Sequence, residues 1–306
     1  MDKLLIFFIL LVLATSVQAA QPIQITISTM AEASSTKATV TAYLQKLLEE
    51  RSNKRIQVHL INDPGLTADQ LVQSLQTTEI QLAIPEINKL HDQAVALKTL
   101  ELPFLYRSRQ HLHQIIDSNI GAQLLSSLEQ NNLKFLGIWD EGPEQIAGNR
   151  ELPADSALFF ADSAEQCCLT SQRQRPEAGH QTSGRWQELT LGEIEGSIGR
   201  EAFSDITLTN HRLSGHALLV QRSFWNGLPE DLKIIIQDAV VNATEYATEM
   251  ADKADQDAYA KLRQQDRINI HPVGKDSRKL WQTKVLQYIA ECCGPTDANL
   301  LFQAVY

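Results

Sequence analysis

Apolar and polar residues follow one another along the first stretch of the chain in two periods. Residues 23–27 (IQITI) alternate strictly, which predicts a strand with one polar face, whereas apolar residues from Thr39 to Arg51 recur every three or four positions, which predicts a helix. A second strand at 56–60, a second helix at 68–77 and a short apolar strand at 80–85 follow. Strands and helices in this order predict a parallel sheet covered by helices.

Weaker patterns continue towards the end of the chain. Between Gly142 and Gly199 the pattern weakens, and the polar stretch from Ser171 to Gly184 is predicted to be a mobile loop. The elements predicted around it are a helix at 109–131, a strand at 135–139, extended segments at 205–210 and 216–221, a strand at 268–270, and a helix from 276 or 277 to 293. These elements extend the α/β pattern through the whole chain.

The longest predicted element is a helix from Pro229 to about Asp266, which contains no glycine and no second proline. A helix of this size is about 55 Å long, whereas a domain of about 140 residues has a radius of gyration of only about 14 Å, so we expect it to span two domains. Its first half, with Ile234 and Val241, is apolar on several sides, which predicts that it is buried on several sides. From Tyr246 onwards only one stripe is apolar, which predicts contact along one face. A coiled coil is the alternative.

The element order predicts an α/β protein of two lobes, with the long helix bridging both. We assign residues 21–143 and about 213–250 to the first lobe, and about 144–212 and about 251–306 to the second. A chain that crosses several times between two lobes forms a hinge, and a cleft between hinged lobes is a preferred place for a small ligand.

The N-terminal residues predict export. An apolar run from Leu4 to Leu13 is followed by small residues up to Ala20, which is typical of a secretory signal peptide (residues 1–20) cleaved near Ala19 or Ala20. The run is shorter than the ~20 residues that span a bilayer, so an uncleaved anchor is the alternative. The formal net charge of −10 disfavours nucleic acid as a partner.

The four cysteines form two adjacent pairs, Cys167-Cys168 and Cys292-Cys293. In an oxidising compartment they can pair in three ways, so structural disulfides are candidates. Free thiols and a metal site are the alternatives, although adjacent cysteines lack the usual two-residue gap of zinc sites.

Motifs of common enzymes are missing from the sequence. There is no Gly-x-Ser-x-Gly elbow, no His-Glu-x-x-His and no phosphate loop, and Gly192, Gly196 and Gly199 fit a dinucleotide fingerprint poorly. We therefore expect a binding protein that uses no cofactor, and not an enzyme.

Several segments, taken in order, resemble the solute-binding proteins of tripartite ATP-independent periplasmic (TRAP) transporters. They are LPFLY at 102–106 with His111 and the stretch 121–125, GEIEG at 192–196, TNH at 209–211, Trp225, and LPEDL at 228–232 with the long helix. The GEIEG segment looks like a glycine-bounded turn of that family, so we expect a turn there. The resemblance implies the two-lobed periplasmic-binding-protein (Venus-flytrap) fold and a location in the periplasm. It further implies capture of a small solute, commonly an organic acid, and its delivery to a membrane permease.

The resemblance also implies an arginine in the second lobe that forms a bidentate pair with the carboxylate of the ligand. In this chain the segment that corresponds to the arginine-bearing strand is 153–162, which includes Ala161, and it contains no arginine. Glu144 occupies a position where another ligand-binding arginine is frequent in that family. Ile198 and Gly199 replace the Glu-Asn pair that usually follows the GEIEG-like segment. We expect the binding chemistry to differ accordingly, with Arg150 or Arg200 as replacement cations; either arginine is equally consistent with plain solvation.

Six more residues are candidates for the cleft because they lie at strand ends or at the hinge: Met30, Glu32, Glu86, Trp139, Asn210 and His211. Each has an ordinary alternative, such as a solvated Glu86, a Trp139 that fills the core, or a His211 with internal partners.

The acidic candidates set an expectation for the solute. Glu86, Glu144 and Asp162 would repel an unpaired carboxylate, because like charges away from water cost several kcal/mol in order of magnitude. We therefore expect a neutral polar, zwitterionic or cationic metabolite, unless Arg150 or Arg200 restores the missing charge. A sensor or interaction protein that kept the two-lobed shell but lost its solute is the alternative function.

Overall fold

The computed structural model describes residues 21–32, 35–90, 97, 100, 102–153, 156, 186–198 and 203–292, with backbone only at 88, 127 and 288–292. All structural statements below concern these residues. The predicted signal peptide, Ala161, Arg200 and three of the cysteines, Cys167, Cys168 and Cys293, lie outside them, as does the side chain of Cys292.

The elements follow the predicted alternation of strands and helices. In chain order they are β1 (Ile23–Thr29), α1 (Thr36–Arg51), β2 (Ile56–Asn62), α2 (Ala68–Gln76), β3 (Leu82–Ile84), α3 (Arg109–Ile116), α4 (Asn119–Leu125), β4 (Leu133–Gly148), β5 (Trp186–Thr190), α5 (Leu191–Ser197), β6 (Asp205–Leu208), β7 (Leu213–Gln221), α6 (Arg222–Gly227), α7 (Glu230–Leu262), β8 (Asn269–Pro272) and α8 (Lys275–Cys292).

One strand, β4, belongs to the sheets of both lobes. In the first lobe the strand order is β2-β1-β3-β7-β4, with β1 parallel to both β2 and β3, and β7 antiparallel to β3 and β4. Further along, β4 pairs antiparallel with β5 and β6, and β6 pairs in parallel with β8. The partner of β4 changes from β7 to β5 between Pro143 and Glu144, so at this point, which we call the crossing point, the chain passes from the first sheet to the second.

The long helix α7 bridges the lobes, as the sequence predicts. Its N-terminal half packs in a cluster with the apolar face of α1 and with β1, while Ala258 and Leu262 pack with Leu191 and Ile194 of α5. At ~1.5 Å per residue it is about 50 Å long. It ends at Leu262, four residues earlier than predicted, and Pro229 is its N-cap residue.

The predicted burial of the first half of α7 on several sides is wrong. Ile234 is 59% exposed and Val241 is 56% exposed, because α1 and β4 cover only one side of the helix. No helix within the described ranges combines the length and the apolar composition that crossing a membrane requires.

Two local predictions also differ from the structure. The single helix predicted at 109–131 is two helices and a 3-10 turn, because the Ser118 side chain accepts hydrogen bonds from the backbone N–H of Ile120 and Gly121 and so caps a new helix. The GEIEG segment, expected as a turn, is helix α5, which begins with a capping box between Thr190 and Glu193.

The last helix, α8, contacts the first lobe. Its Trp281 and Val285 lie in the same apolar cluster as Phe104 and Leu112, although the sequence assigns residues 251–306 to the second lobe. The Gln282 side-chain amide donates to the carbonyl of Phe104 at 3.5 Å. After β8 in the second sheet, helix α8 therefore returns to the first lobe.

Candidate functional site

Two cavities adjoin the crossing of β4 and β7. The first has a volume of about 420 Å³, and its walls come from both lobes and from α7. Its lining residues are Thr36, Lys37, Val40, Glu86, Lys89, Trp139, Asp140, Glu141 and His216 around the first sheet, Thr190, Gly192 and Glu193 at the start of α5, and Ala247, Ala251 and Ala254 of α7.

A charged cluster in the first cavity consists of Lys37, Glu86, Glu141 and His216, which we call the lysine cluster. The Lys37 Nζ atom lies 3.7 Å from Glu86 Oε1 and 3.9 Å from Glu141 Oε1. The ring of His216 lies between the same two carboxylates, with Nδ1 3.6 Å from Glu141 Oε1 and Nε2 3.9 Å from Glu86 Oε1. These separations are too long for hydrogen bonds and leave the four groups loosely arranged around the cavity.

The electrostatics of the lysine cluster keep Glu86 ionised. The pKa of Glu86 is lowered to about 2, first by the adjacent His216 imidazole and then by Lys89 and Lys37, although burial opposes the shift. Burial lowers the pKa of Lys37, because the ammonium has lost water, while Glu141 and Glu86 act in the opposite direction. The cavity thus presents a fixed carboxylate beside a cation whose charged form is disfavoured by its surroundings.

Two buried ring nitrogens in this cavity have no hydrogen-bond partner within the described part of the chain. They are Nε1 of Trp139, whose side chain is 4% exposed, and Nε2 of His216. Buried polar atoms in proteins are almost always paired, so these two atoms are exceptions.

A second charged cluster lies just beyond the crossing point and consists of Glu144, Glu188, His211 and Arg212; we call it the arginine cluster. Arg212 Nε donates to Glu144 Oε2 at 2.9 Å, and its Nη2 lies 2.6 Å from Glu144 Oε2 and 3.3 Å from Glu188 Oε2. The His211 Nε2 atom is 3.2 Å from Glu188 Oε1, and its Nδ1 is 2.8 Å from the hydroxyl of Thr209. The side chains are 0–17% exposed, so this cluster is closed and buried.

The oxygen and nitrogen atoms of Glu144, Glu188 and His211 lie within 4.8 Å of one another, a spacing that suits a metal ion. The Arg212 guanidinium already contacts both carboxylates and carries the positive charge that an ion would supply. This arrangement disfavours a metal in the arginine cluster.

The second cavity, of about 470 Å³, adjoins the arginine cluster. Its lining residues are 106–109, Pro143, 210–213, Asp252, Asp255 and Arg278. The predicted site residue Asn210 lies here, but its side chain accepts from Gln145 Nε2 at 2.7 Å and its backbone N–H donates to Gln145 Oε1. Asn210 therefore already has partners inside the protein.

The structure separates the residues that the sequence places in one cleft. Glu86 and Trp139 line the first cavity, whereas Glu144 and His211 belong to the arginine cluster. Half-buried Met30 and exposed Glu32 line neither cavity.

The remaining candidates make other contacts. Arg150 lies 4.6 Å from the ring centroid of Trp186, and Ile198 packs at the edge of the cluster formed by α5 and α7. Neither residue is among those that line the two cavities. The assignment of these residues to a ligand site stays a prediction.

Sequence reasoning missed Lys37, Glu141 and His216. A signal for Lys37 exists: it is the first cation after β1, in the first turn of the helix that starts at the carboxyl edge of the sheet. Glu141 lies two residues after Trp139 on the same strand, which is the spacing of side chains on one face. His216 is placed by the pairing of β7 with β4, which local sequence does not reveal.

Comparison with known proteins places this geometry in a family. The model of "Bacterial extracellular solute-binding protein, family 7" matches residues 27–154 and 187–293. The C4-dicarboxylate-binding periplasmic protein DctP of Rhodobacter capsulatus is 26% identical over 303 residues, which cover 92% of this chain and 91% of that protein. The 2,3-diketo-L-gulonate-binding periplasmic protein YiaO of Escherichia coli is 28% identical over 113 residues, or 36% of this chain and 34% of that protein.

Solved structures of TRAP periplasmic solute-binding proteins share the fold. The protein from Ochrobactrum anthropi superposes with a TM-score of 0.78 at 18% identity and covers 93% of this chain and 95% of that one. The protein from Shewanella oneidensis, solved with bound succinate, gives 0.71 at 18% identity, with 93% and 100% covered.

These comparisons confirm the predicted two-lobed fold, the resemblance to TRAP solute-binding proteins and the location in the periplasm. The family is one of transport proteins and not of enzymes, and it does not favour the sensor alternative. Since the match extends over most of the sequence and across both lobes, the chain belongs to family 7 of the bacterial extracellular solute-binding proteins.

Proposed function

We propose that this protein captures a small polar solute in the first cavity, between its two lobes, and delivers it to a TRAP-type membrane permease. The observation that carries the proposal is the cavity itself: about 420 Å³, with walls from the first sheet, from the start of α5 and from the bridging helix α7. Ligand cavities typically measure roughly 300–1,000 Å³ and lie between domains, so the size and place suit a small metabolite.

The charges of the lining favour a solute that is not a dianion. Lys37 and Lys89 face Glu86, Glu141 and Glu193, so two cations against three carboxylates leave one net negative charge. The fourth acid, Asp140, is paired with Arg109. A solute with two free carboxylates would add to this negative charge in a partly desolvated space, which is unfavourable. We therefore favour a neutral polar, zwitterionic or cationic solute.

The polar atoms of the cavity suit hydroxyl or ammonium groups. Glu86 and Glu141 provide hydrogen-bond acceptors, while Lys37 and Lys89 provide donors. A hydroxyl group both donates and accepts, so a polyhydroxylated solute satisfies both kinds of atom; an ammonium group suits the carboxylates.

An organic acid is the second candidate. Two relatives are named for binding C4-dicarboxylates and 2,3-diketo-L-gulonate, and structural neighbours were solved with succinate and with L-malate. In this case Lys37 is the cation that would meet the carboxylate, in place of Arg150 or Arg200.

The experiment is native mass spectrometry of the purified protein to identify a carried solute, followed by calorimetry with that solute, succinate, galactonate and a set of amino acids. We expect the carried solute to bind, and Glu86→Gln to weaken its binding by about 10-fold or more, the usual scale for a lost charged hydrogen bond. Glu230→Gln, on the exposed start of α7, is the matched control and should change nothing.

Two outcomes would overturn the preferred solute class. One is tight succinate binding that Glu86→Gln leaves unchanged; if Lys37→Met abolishes it, the organic acid is the solute. The other is binding that depends on Arg150. Delivery is tested by uptake in cells that lack the chain, which the wild type should restore and Glu86→Gln should not.

A further inference from the structure

Arg109 connects three elements at the crossing between the lobes. It lies at the start of α3 in the first lobe, and its Nε donates to Asp140 Oδ1 of β4 at 2.5 Å. Its Nη1 donates to Asp252 of the long helix α7. The Arg109 side chain is 15% exposed and that of Asp140 is fully buried, so the contact with β4 is shielded from water.

The part of β4 that Arg109 holds is irregular. The register between β4 and β7 shifts between Asp140 and Gly142, and Gly142 has φ +106°, a left-handed conformation that side chains disfavour. A Cβ atom on Gly142 would lie 2.7 Å from Asp255 Oδ2, so α7 lies directly against the backbone here. An irregular strand segment next to the crossing point is where a bend between the lobes costs least.

We infer that Arg109 is a positioning residue for lobe movement: with Asp140, Asp252 and Asp255 it forms a hinge clamp that makes the irregular segment of β4 and the middle of α7 move as one unit. Because both elements continue into the second lobe, a bend in one without the other would separate Arg109 from a carboxylate. Leaving a buried carboxylate without its cation is strongly unfavourable. The clamp depends on the two-lobed fold and not on the identity of the solute.

The charges of the hinge clamp are unbalanced in a way that pH changes. Two carboxylates contact the one guanidinium and a third, that of Asp255, lies near enough to interact electrostatically with it. Nη2 of Arg109 and Oδ2 of Asp140 have no hydrogen-bond partner in the described ranges. The charged and titratable groups that face the clamp are Arg109 and His113 of α3, Arg107 before it, Asp140 of β4, Asp252 and Asp255 of α7, and His211, Arg212 and Arg278 across the second cavity.

One of these groups, Asp255, has a carboxyl pKa well above its ordinary value. Burial, together with Asp140 and Asp252, raises the pKa of Asp255 to about 6, against the attraction of Arg109. Because the pKa of Asp255 is raised in the folded protein, protonation of Asp255 stabilises the hinge clamp. This stabilisation is present at low pH and is lost as pH rises through about 6. The hinge clamp should therefore be tighter at pH 5 than at pH 7.

The test is amide hydrogen exchange of the full-length, ligand-free protein, read by mass spectrometry. We expect Arg109→Gln to speed exchange in residues 139–145 and 250–256 by about 10-fold or more, because the clamp no longer opposes local opening. In the wild type, after correction for intrinsic rates, protection of 139–145 should fall between pH 5 and pH 7, and Asp255→Asn should remove this dependence.

Arg51→Gln is the matched control. Arg51 also joins α7 to the first lobe through Asp238 and Asn242, but it lies away from the crossing point. This variant should leave exchange at 139–145 unchanged. Equal acceleration by Arg51→Gln and Arg109→Gln would show a general loosening and would overturn the proposal.

A further variant keeps the proposal testable if Arg109→Gln fails to fold. Arg109→Gln combined with Asp140→Asn removes both buried charges, so it should fold while exchange at 139–145 stays fast. Exchange within about twofold of the wild type in the double variant, or a wild-type profile flat with pH, would contradict the hinge clamp.

Discussion

The lysine cluster and the arginine cluster contain the same kinds of groups in different geometry. Each has two glutamates, one histidine and one cation, and β4 contributes one glutamate to each, Glu141 and Glu144. In the lysine cluster the cation lies 3.7–3.9 Å from its carboxylates and the groups line a cavity. In the arginine cluster the shortest separation is 2.6 Å and the side chains are nearly enclosed.

The difference shows how geometry divides stability from binding. A planar guanidinium bonds to two carboxylates at once, which closes the arginine cluster around itself. Lys89 lies 2.6 Å from Glu86 Oε2, but the Lys37 ammonium lies too far from Glu86 Oε1 and Glu141 Oε1 for a hydrogen bond, so these two oxygens keep acceptor capacity for a solute. We expect the arginine cluster to support the fold and the lysine cluster to support capture.

The largest expected effect is that of Arg212→Met. The change leaves Glu144 and Glu188 buried without their cation and should lower the free energy of unfolding by about 3–5 kcal/mol. Urea titration at pH 7 measures it. Arg212→Lys keeps the positive charge but not the planar guanidinium, so it should lower the free energy of unfolding by less than Arg212→Met does. A loss below about 1 kcal/mol in Arg212→Met would remove the distinction between the clusters.

Gly142→Ala tests the segment of β4 that separates the two clusters. The left-handed φ and the contact with Asp255 should lower the free energy of unfolding by about 1–3 kcal/mol. Gly192→Ala is the matched control, because nothing lies within 4 Å of its Cβ position and it sits inside helix α5, where alanine is favoured. Equal effects of the two changes would mean that the spacing of Glu141 and Glu144 does not depend on the left-handed backbone conformation of Gly142.

The pH dependence of stability in Glu86→Gln tests how much the lysine cluster contributes to the fold. The lowered pKa of Glu86, about 2, means that its contribution to stability is present above the ordinary value and is lost as pH falls from about 4.5 to about 2. The variant should lack this contribution, so it should be less stable than the wild type at pH 7 by roughly 1–2 kcal/mol, and this difference should shrink as pH falls towards about 2. Thermal unfolding across pH 2–7 measures this, and parallel curves would contradict it.

The smallest expected effect on stability is that of Lys37→Met. Burial disfavours the charged form of Lys37, and Glu86 keeps Lys89 and His216 nearby, so the free energy of unfolding should change by less than about 1 kcal/mol. Solute affinity should change instead. The same urea titration as for Arg212→Met gives the answer. Similar losses in the two variants would show that both clusters are structural.

Local periodicity predicts most of the fold. Strands β1 and β2, helices α1 and α2, and the bridging role of α7 follow from alternating or helical patterns within single segments. The break at Ser118 escapes this reasoning because one hydroxyl caps a new helix within an unbroken apolar pattern. The full length of β4 also escapes it, since a strand shared by two sheets changes its partners along its length.

The candidate site was less predictable. Glu86 and Trp139 follow from their place at strand ends, but the pairing of Glu144 with Arg212 depends on the alignment of β4 with β7, where Glu144 N–H donates to the Arg212 carbonyl. Two segments nearly seventy residues apart carry these charges, and the sequence between them gives no sign of the register.

The shared strand β4 has a consequence for how the chain is made. Residues 133–143 pair with residues 213–221, and the whole of β5 and β6 is synthesised between them. The N-terminal sheet therefore stays incomplete at one edge until the chain has been synthesised up to Gln221. Contacts this distant along the sequence slow folding, so the unfinished chain should stay unfolded long enough for a translocation channel to accept it.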